Sequence, residues 1–272
     1  MITLVGNVLN SNNKKVLDKM NKMDFEYIRR EVTAQIEDGA EYIELNAVSL
    51  LNNELPFLKE AIRIIESSGS KALVRSNNIF TLVEVIKMVK KEVVVGDIEF
   101  SKEKIDIILE ASKGKNVKLI ASIKDPKDEE DISPEKSLLI AQLYVDYLLD
   151  HGMKRNDILL DPIVRPLEQH CENGRIFLNT LELFKLDFPQ VKTIANLSIL
   201  SEGLPMRWLI SSNFVSLAIE KGLDYIVLDV MERAIIESII TTLTIIGKDK
   251  NMQSYLSFCR NNRESRRRGV LQ

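Results

Sequence analysis

The chain is poor in the residues that metal centres and disulfide frameworks need. Among 272 residues there are two cysteines and two histidines. Cys171 and Cys259 lie far apart without CxxC spacing, and His151 and His170 do not complete a ligand set. Neither a zinc site nor a disulfide framework is therefore expected, and no metal is assigned to this chain. Charge of one sign is lacking too. Lysine and arginine number 37 against 40 acidic residues, a net charge of −3, and the basic residues are mostly scattered among acidic ones, so no nucleic-acid footprint is expected. The exception is the terminal RNNRESRRRGV, read as a solvated end. Residues 1–258 are accordingly taken as one domain and 259–272 as a basic, flexible tail.

Long hydrophobic runs are also absent. No segment approaches the roughly 18 apolar residues of a membrane span, and MITLVGNVLN has neither a charged leader nor an apolar run of signal-peptide length. A cytoplasmic protein without membrane contact is expected. Neither GxGxxG nor a P-loop occurs, which argues against an open nucleotide-binding sheet.

What the sequence does contain is a repeated alternation. Short β-branched runs (ITLVGN from Ile2, YIELN from Tyr42, KALVR from Lys71, EVVVG from Glu92, VKLIAS from Val117, DILLD from Asp157, KTIANLS from Lys192, YIVLD from Tyr225) read as buried parallel strands. Helical periodicity follows each of them, over 25–38, 55–68, 79–91, 102–113, 134–151, 172–186, 205–221 and 233–246. Asp24 and Ser101 are suited to N-caps, Pro134 and Pro205 to first helical turns, and Gly39, Gly69, Gly114, Gly152, Gly222 and Gly247 to C-terminal stops. Eight strand-then-helix units in about 250 residues predict a single-domain α/β protein, a (β/α)8 TIM barrel.

Chemistry in such a barrel sits at the C-terminal ends of the strands. Those ends carry Asn7 and Asn10, Glu44 and Asn46, Arg75 with Ser76 and Asn77, Asp97, Lys124 with Asp125, Asp161, Asn196 with Ser198, and Asp229. No Ser/His/Asp order and no Cys/His pair falls among them, so nucleophilic catalysis has no obvious agent. Asp161, held extended by Pro162, would point into the mouth, where a carboxylate can accept paired hydrogen bonds from an amino-heterocycle. Glu44 and Asn46, two apart, share a face. Arg75 is expected to form an internal salt bridge with Glu44, Asp97 or Asp161.

The segment NLSILSEGLPMRWLISSNFVSLAIEKGLDYIVLD resembles the late part of the pterin-binding methyltransferases, in the order Ser198, Ser201, Gly203-Leu204-Pro205, Arg207, Phe214 and Gly222-Leu223-Asp224. The likeness extends from Gly6 and Asn10 through DGAEYIELN and LLDP to SYLSFCR. It implies methyl transfer between N5 of methyltetrahydrofolate and the cobalt of a corrinoid (cobalamin) held by a partner protein. It further implies a homodimer that holds no metal itself. Asp161 matches the family's pyrimidine-binding aspartate, while Asn46, Asn10, Ser198 and Arg207 fall at pocket positions. The kinked Gly-Leu-Pro loop would form one wall of that pocket.

Four positions depart from the family pattern. Asp-Ser-x-Asn after the third strand is replaced by Arg75-Ser76-Asn77-Asn78, and Asn-Ser after the fourth by Gly96-Asp97. The asparagine near N5 is Ile199, which leaves the catalytic residue unassigned, and Glu-Arg near the first strand is Asn7-Val8. Asp97 can exchange charge roles with Arg75, so both count as ligand-binding candidates. Two other readings follow from these changes: a catalytically silent relative that binds or regulates a corrinoid protein, and a methyltransferase with a non-folate methyl donor. Dihydropteroate synthases share the superfamily, but their substrate-binding loops find no convincing match.

Overall fold

A computed structural model describes residues 2–124 and 133–267. Eight strands, β1 (Thr3–Gly6), β2 (Tyr42–Asn46), β3 (Lys71–Arg75), β4 (Val93–Ile98), β5 (Val117–Ser122), β6 (Ile158–Asp161), β7 (Lys192–Asn196) and β8 (Tyr225–Leu228), close into a parallel barrel in sequence order. Both faces of each strand are apolar, which is why the strands read as continuous runs. Val5, Tyr42, Leu73, Val94, Ile120, Leu159, Ile194, Tyr225 and Val227 form a cluster of their own. Their alternates, such as Ile43, Leu45, Val74, Val95, Leu119 and Leu160, belong to the larger cluster shared with the helices. The first set fills the barrel, and the strand period of two then carries the inward row to Asn46, Arg75, Gly96, Ser122, Asp161 and Asn196 at its C-terminal end.

Among the described residues ten helices accompany the strands: α1 (Lys14–Asn21), α2 (Phe25–Glu37), α3 (Glu54–Ser67), α4 (Ile79–Met88), α5 (Lys102–Ser112), α6 (Pro134–Asp150), α7 (Asn173–Asp187), α8 (Arg207–Glu220), α9 (Arg233–Ile245) and α10 (Gln253–Arg267). Asp24 caps α2 by accepting from the Tyr27 amide at 3.0 Å. Pro134 opens α6 behind a Ser133 cap, and all six glycines expected to stop helices have positive φ.

One expectation is corrected, and one helix is added to those expected. Pro205 does not begin a helix, because Met206 is left-handed (φ 50°) and α8 starts at Arg207. The short helix α1, which buries only Val16 and Met20, was not foreseen. The boundary expected at 258/259 falls inside α10; residues 268–272 of the tail, and Asp125, lie outside the described residues.

Ion pairs close the N-terminal end of the barrel. Glu92 receives the Tyr42 hydroxyl together with Lys71 and Lys118, each at 3.0 Å, and Lys118 also reaches Asp157 at 3.2 Å. Lys185 and Lys192 both reach Asp224 at 2.9 Å. That end holds the fold together and leaves the opposite end for chemistry.

A charged layer at the barrel mouth

Arg75 ends β3 inside the barrel, 8% exposed, and its guanidinium is shared among carboxylates. Nε donates to Glu44 and one terminal nitrogen donates to Asp97, while the same nitrogen stands 3.9 Å from Asp161 Oδ2. The internal salt bridge expected from the sequence is thus present. Burial works against the charge on Arg75, but Glu44, Asp97 and Asp161 outweigh it and hold its pKa above the ordinary value. Burial likewise pushes the Glu44 carboxyl up, against the pull of Arg75.

Asp97 reaches this layer through a backbone irregularity. The β4–β5 register shifts between Val95 and Ile98, and Asp97 is left-handed (φ 68°), a conformation that aspartate tolerates better than most residues. The bulge turns inward a side chain that regular alternation would send outward. Gly96 beside it leaves room for Ile120, whose Cδ1 would stand 2.8 Å from a Cβ there and have to shift.

Asp161 is the least committed of these carboxylates. Its Oδ1 accepts from the Ile163 amide at 3.0 Å, a tight turn helped by the left-handed Ile163 (φ 52°). At 3.9 Å, Oδ2 is beyond hydrogen-bond length from Arg75. Burial drives the Asp161 carboxyl up to about 6, with Arg75 opposing and Asp97 reinforcing the rise. At neutral pH it is ionised, buried and able to accept further hydrogen bonds.

The remaining sequence candidates divide into two groups. Asn46 and Asn10 are brought together by a parallel bridge between β2 and the loop after β1. Their side chains fold back locally, Asn10 Oδ1 accepting from the Asn12 amide and Asn46 Oδ1 from the Val48 amide. Arg207 is exposed and clamps the loop after β7, donating to the Ser198 carbonyl at 3.0 Å and the Ser201 hydroxyl at 3.4 Å. Ser201 in turn contacts Ser211 at 3.0 Å, which ties the kinked loop to α8. Ser198 is held by its backbone, and half-buried Ile199 packs against the core in the 3-10 turn Leu197–Ser201. Gly203 (φ 77°) lies so close to Glu168 that a Cβ would overlap its carboxylate.

One mouth residue escaped the sequence reading. Ser122, paired in register with Asp161, is 1% exposed, and its hydroxyl has no hydrogen-bond partner among the described residues. Glu44 Oε2 is likewise buried without a partner. The cue was the last letter of VKLIAS, passed over in favour of Lys124 and Asp125. Among the described residues no group of three or more His, Cys, Asp or Glu side chains is arranged to hold a metal. A cleft of about 540 Å³ beside Asp106, Lys113, His151 and Asp157 opens at the other end of the barrel, away from these residues.

This geometry places a buried, under-committed carboxylate among polar side chains at the mouth of a closed barrel. Over 255 residues the chain is 26% identical to a methylcorrinoid:tetrahydrofolate methyltransferase of Eubacterium limosum, covering 93% of this chain and 94% of that protein. No family model matches the sequence. The barrel is also shared with dihydropteroate synthases. The Clostridium difficile enzyme, solved in the presence of pteroic acid, superposes with a TM-score of 0.69 at 15% identity over 90% of this chain and 96% of that one. The Anaplasma phagocytophilum enzyme, with bound 6-hydroxymethylpterin-monophosphate, gives 0.61 at 18% identity over 88% and 99%. At these identities the solved structures establish the fold alone.

Proposed function

We propose that this protein transfers a methyl group between the cobalt of a corrinoid protein and N5 of tetrahydrofolate. The observation that carries the reading is Asp161: an ionised carboxylate at the end of β6, buried yet with an oxygen left over for a ligand. A pterin presents its 2-amino group and N3–H side by side, two donors that one carboxylate accepts together. Asp97, delivered by the bulge, supplies a second acceptor in the place where Arg75 has displaced the family's carboxylate. Arg75 is held by Glu44 and Asp97 and keeps those charges in register.

Ile199, at the position that carries an asparagine in the family pattern, suits the unprotonated form of N5. An apolar side chain near N5 disfavours the protonated amine and leaves the lone pair available as a nucleophile. N5 of tetrahydrofolate then attacks a cobalt-bound methyl; the carbon–cobalt bond breaks with its electron pair remaining on cobalt, and the N5 proton leaves to solvent. This direction agrees with the name of the Eubacterium limosum relative. The same reading assigns the protein to the cytoplasm as a homodimer; among the described residues no helix is long and apolar enough to cross a membrane.

The test is loss of the methyl–cobalt absorbance when a methylated corrinoid protein is mixed with tetrahydrofolate and this enzyme. Formation of methyltetrahydrofolate at the same rate is expected. A protein that binds the corrinoid partner without methyl transfer would instead be the silent relative, and transfer without folate would mean a different methyl donor.

A further inference from the structure

Native proteins leave few buried polar groups without a partner, and each calls for an explanation. Among the described residues three side-chain atoms are in that condition, and two of them, Ser122 Oγ and Glu44 Oε2, belong to strands that line the barrel mouth. Ser122 is the more informative. It faces the barrel interior because Ile120, two residues earlier on the same strand, lies in the interior cluster. It is the register partner of Asp161, so the two side chains lie side by side on neighbouring strands. Asp97, the neighbouring polar side chain on β4, is engaged by Arg75. Among the described residues nothing satisfies the Ser122 hydroxyl.

Resting on the pterin reading of Asp161, we infer that Ser122 is a specificity-determining residue whose hydroxyl donates to the ring acceptor next to the donor pair that Asp161 takes. The chemistry of the pyrimidine edge supports this whichever way the ring faces. The 2-amino and N3–H donors are flanked on one side by N1 and on the other by the 4-oxo oxygen, and both flanking atoms are acceptors. A carboxylate beside a hydroxyl therefore matches a run of donors beside an acceptor. The ring reaches this level by entering between Arg75 and Asp161, the loosest contact of the cluster at 3.9 Å. A site built to hydrogen-bond a ligand edge rejects heterocycles lacking that edge, because its polar groups would then stay unpaired.

The inference separates binding from stability, which a structural serine would not do. Removing a hydroxyl that is unsatisfied in the free protein leaves the melting temperature unchanged or raised. Removing its bond to the ligand weakens tetrahydrofolate binding about 5–10-fold. The experiment titrates tetrahydrofolate into wild type, Ser122→Ala, Ser122→Thr and Asp161→Ala, with melting curves for each. Expected are weaker binding without lost stability for Ser122→Ala, recovery for Ser122→Thr, and loss of binding for Asp161→Ala. Unchanged affinity in Ser122→Ala, or a drop in its melting temperature, overturns the assignment of Ser122 while the Asp161 reading stands. Absence of binding to the wild type overturns both.

Discussion

Replacing Asp161 by asparagine should stabilise the protein at neutral pH while removing its affinity for pterin. In the fold the Asp161 carboxyl lies at about 6 instead of 3.8, burial being the largest cause. Each pH unit of displacement is worth about 1.4 kcal/mol, so ionising this group costs the folded state roughly 3 kcal/mol more than the unfolded chain. The folded value is raised, so between about pH 4 and 6 the native state binds more protons than the unfolded state, and stability falls with rising pH across that window. Asparagine carries no charge to bury and keeps an oxygen that can accept from the Ile163 amide. It gives up only the 3.9 Å approach to Arg75, whose closer partners Glu44 and Asp97 remain. Urea unfolding at pH 8 should show Asp161→Asn more stable than wild type by about 1–3 kcal/mol, with the gap closing toward pH 4.5. A variant less stable than wild type at pH 8 would refute the reasoning, since it would make the Arg75–Asp161 attraction larger than the cost of burying the carboxylate.

Two other outcomes follow from the same geometry. Arg75→Met leaves the buried Glu44 carboxylate without its cation, a loss of about 3–5 kcal/mol that urea unfolding at pH 8 should show and that should shrink at acidic pH as Glu44 protonates. Gly203→Ala puts a Cβ on a left-handed backbone and should cost about 1 kcal/mol in urea unfolding, the exposed Glu168 carboxylate swinging aside.

The barrel was legible in the sequence because parallel strands are buried on both faces: β2, β3 and β5 coincide with the runs YIELN, KALVR and VKLIAS. Asp161 was legible for a related reason, being the first polar residue after an apolar run and fixed by the following proline. What escaped depended on tertiary geometry. The inward turn of Asp97 comes from a bulge and a left-handed backbone, neither written in Gly96-Asp97. Ser122 looks like any strand-terminal serine until its register with Asp161 and its unpaired hydroxyl are seen. Arg207 matched a pocket position by residue type, but its guanidinium reaches backward to Ser198 and Ser201, a direction that the sequence does not encode locally. Helix α1 was missed because its eight residues carry only two buried side chains, too few to register a periodicity.

The most direct test of the central claim is calorimetric titration of the protein with tetrahydrofolate and methyltetrahydrofolate at pH 7.5 and pH 5, with Asp161→Ala beside it. The account predicts binding at pH 7.5 that weakens below about pH 6 as Asp161 gains a proton, and none in the variant. Folded wild-type protein that binds neither pterin, or binding untouched by Asp161→Ala, would contradict it.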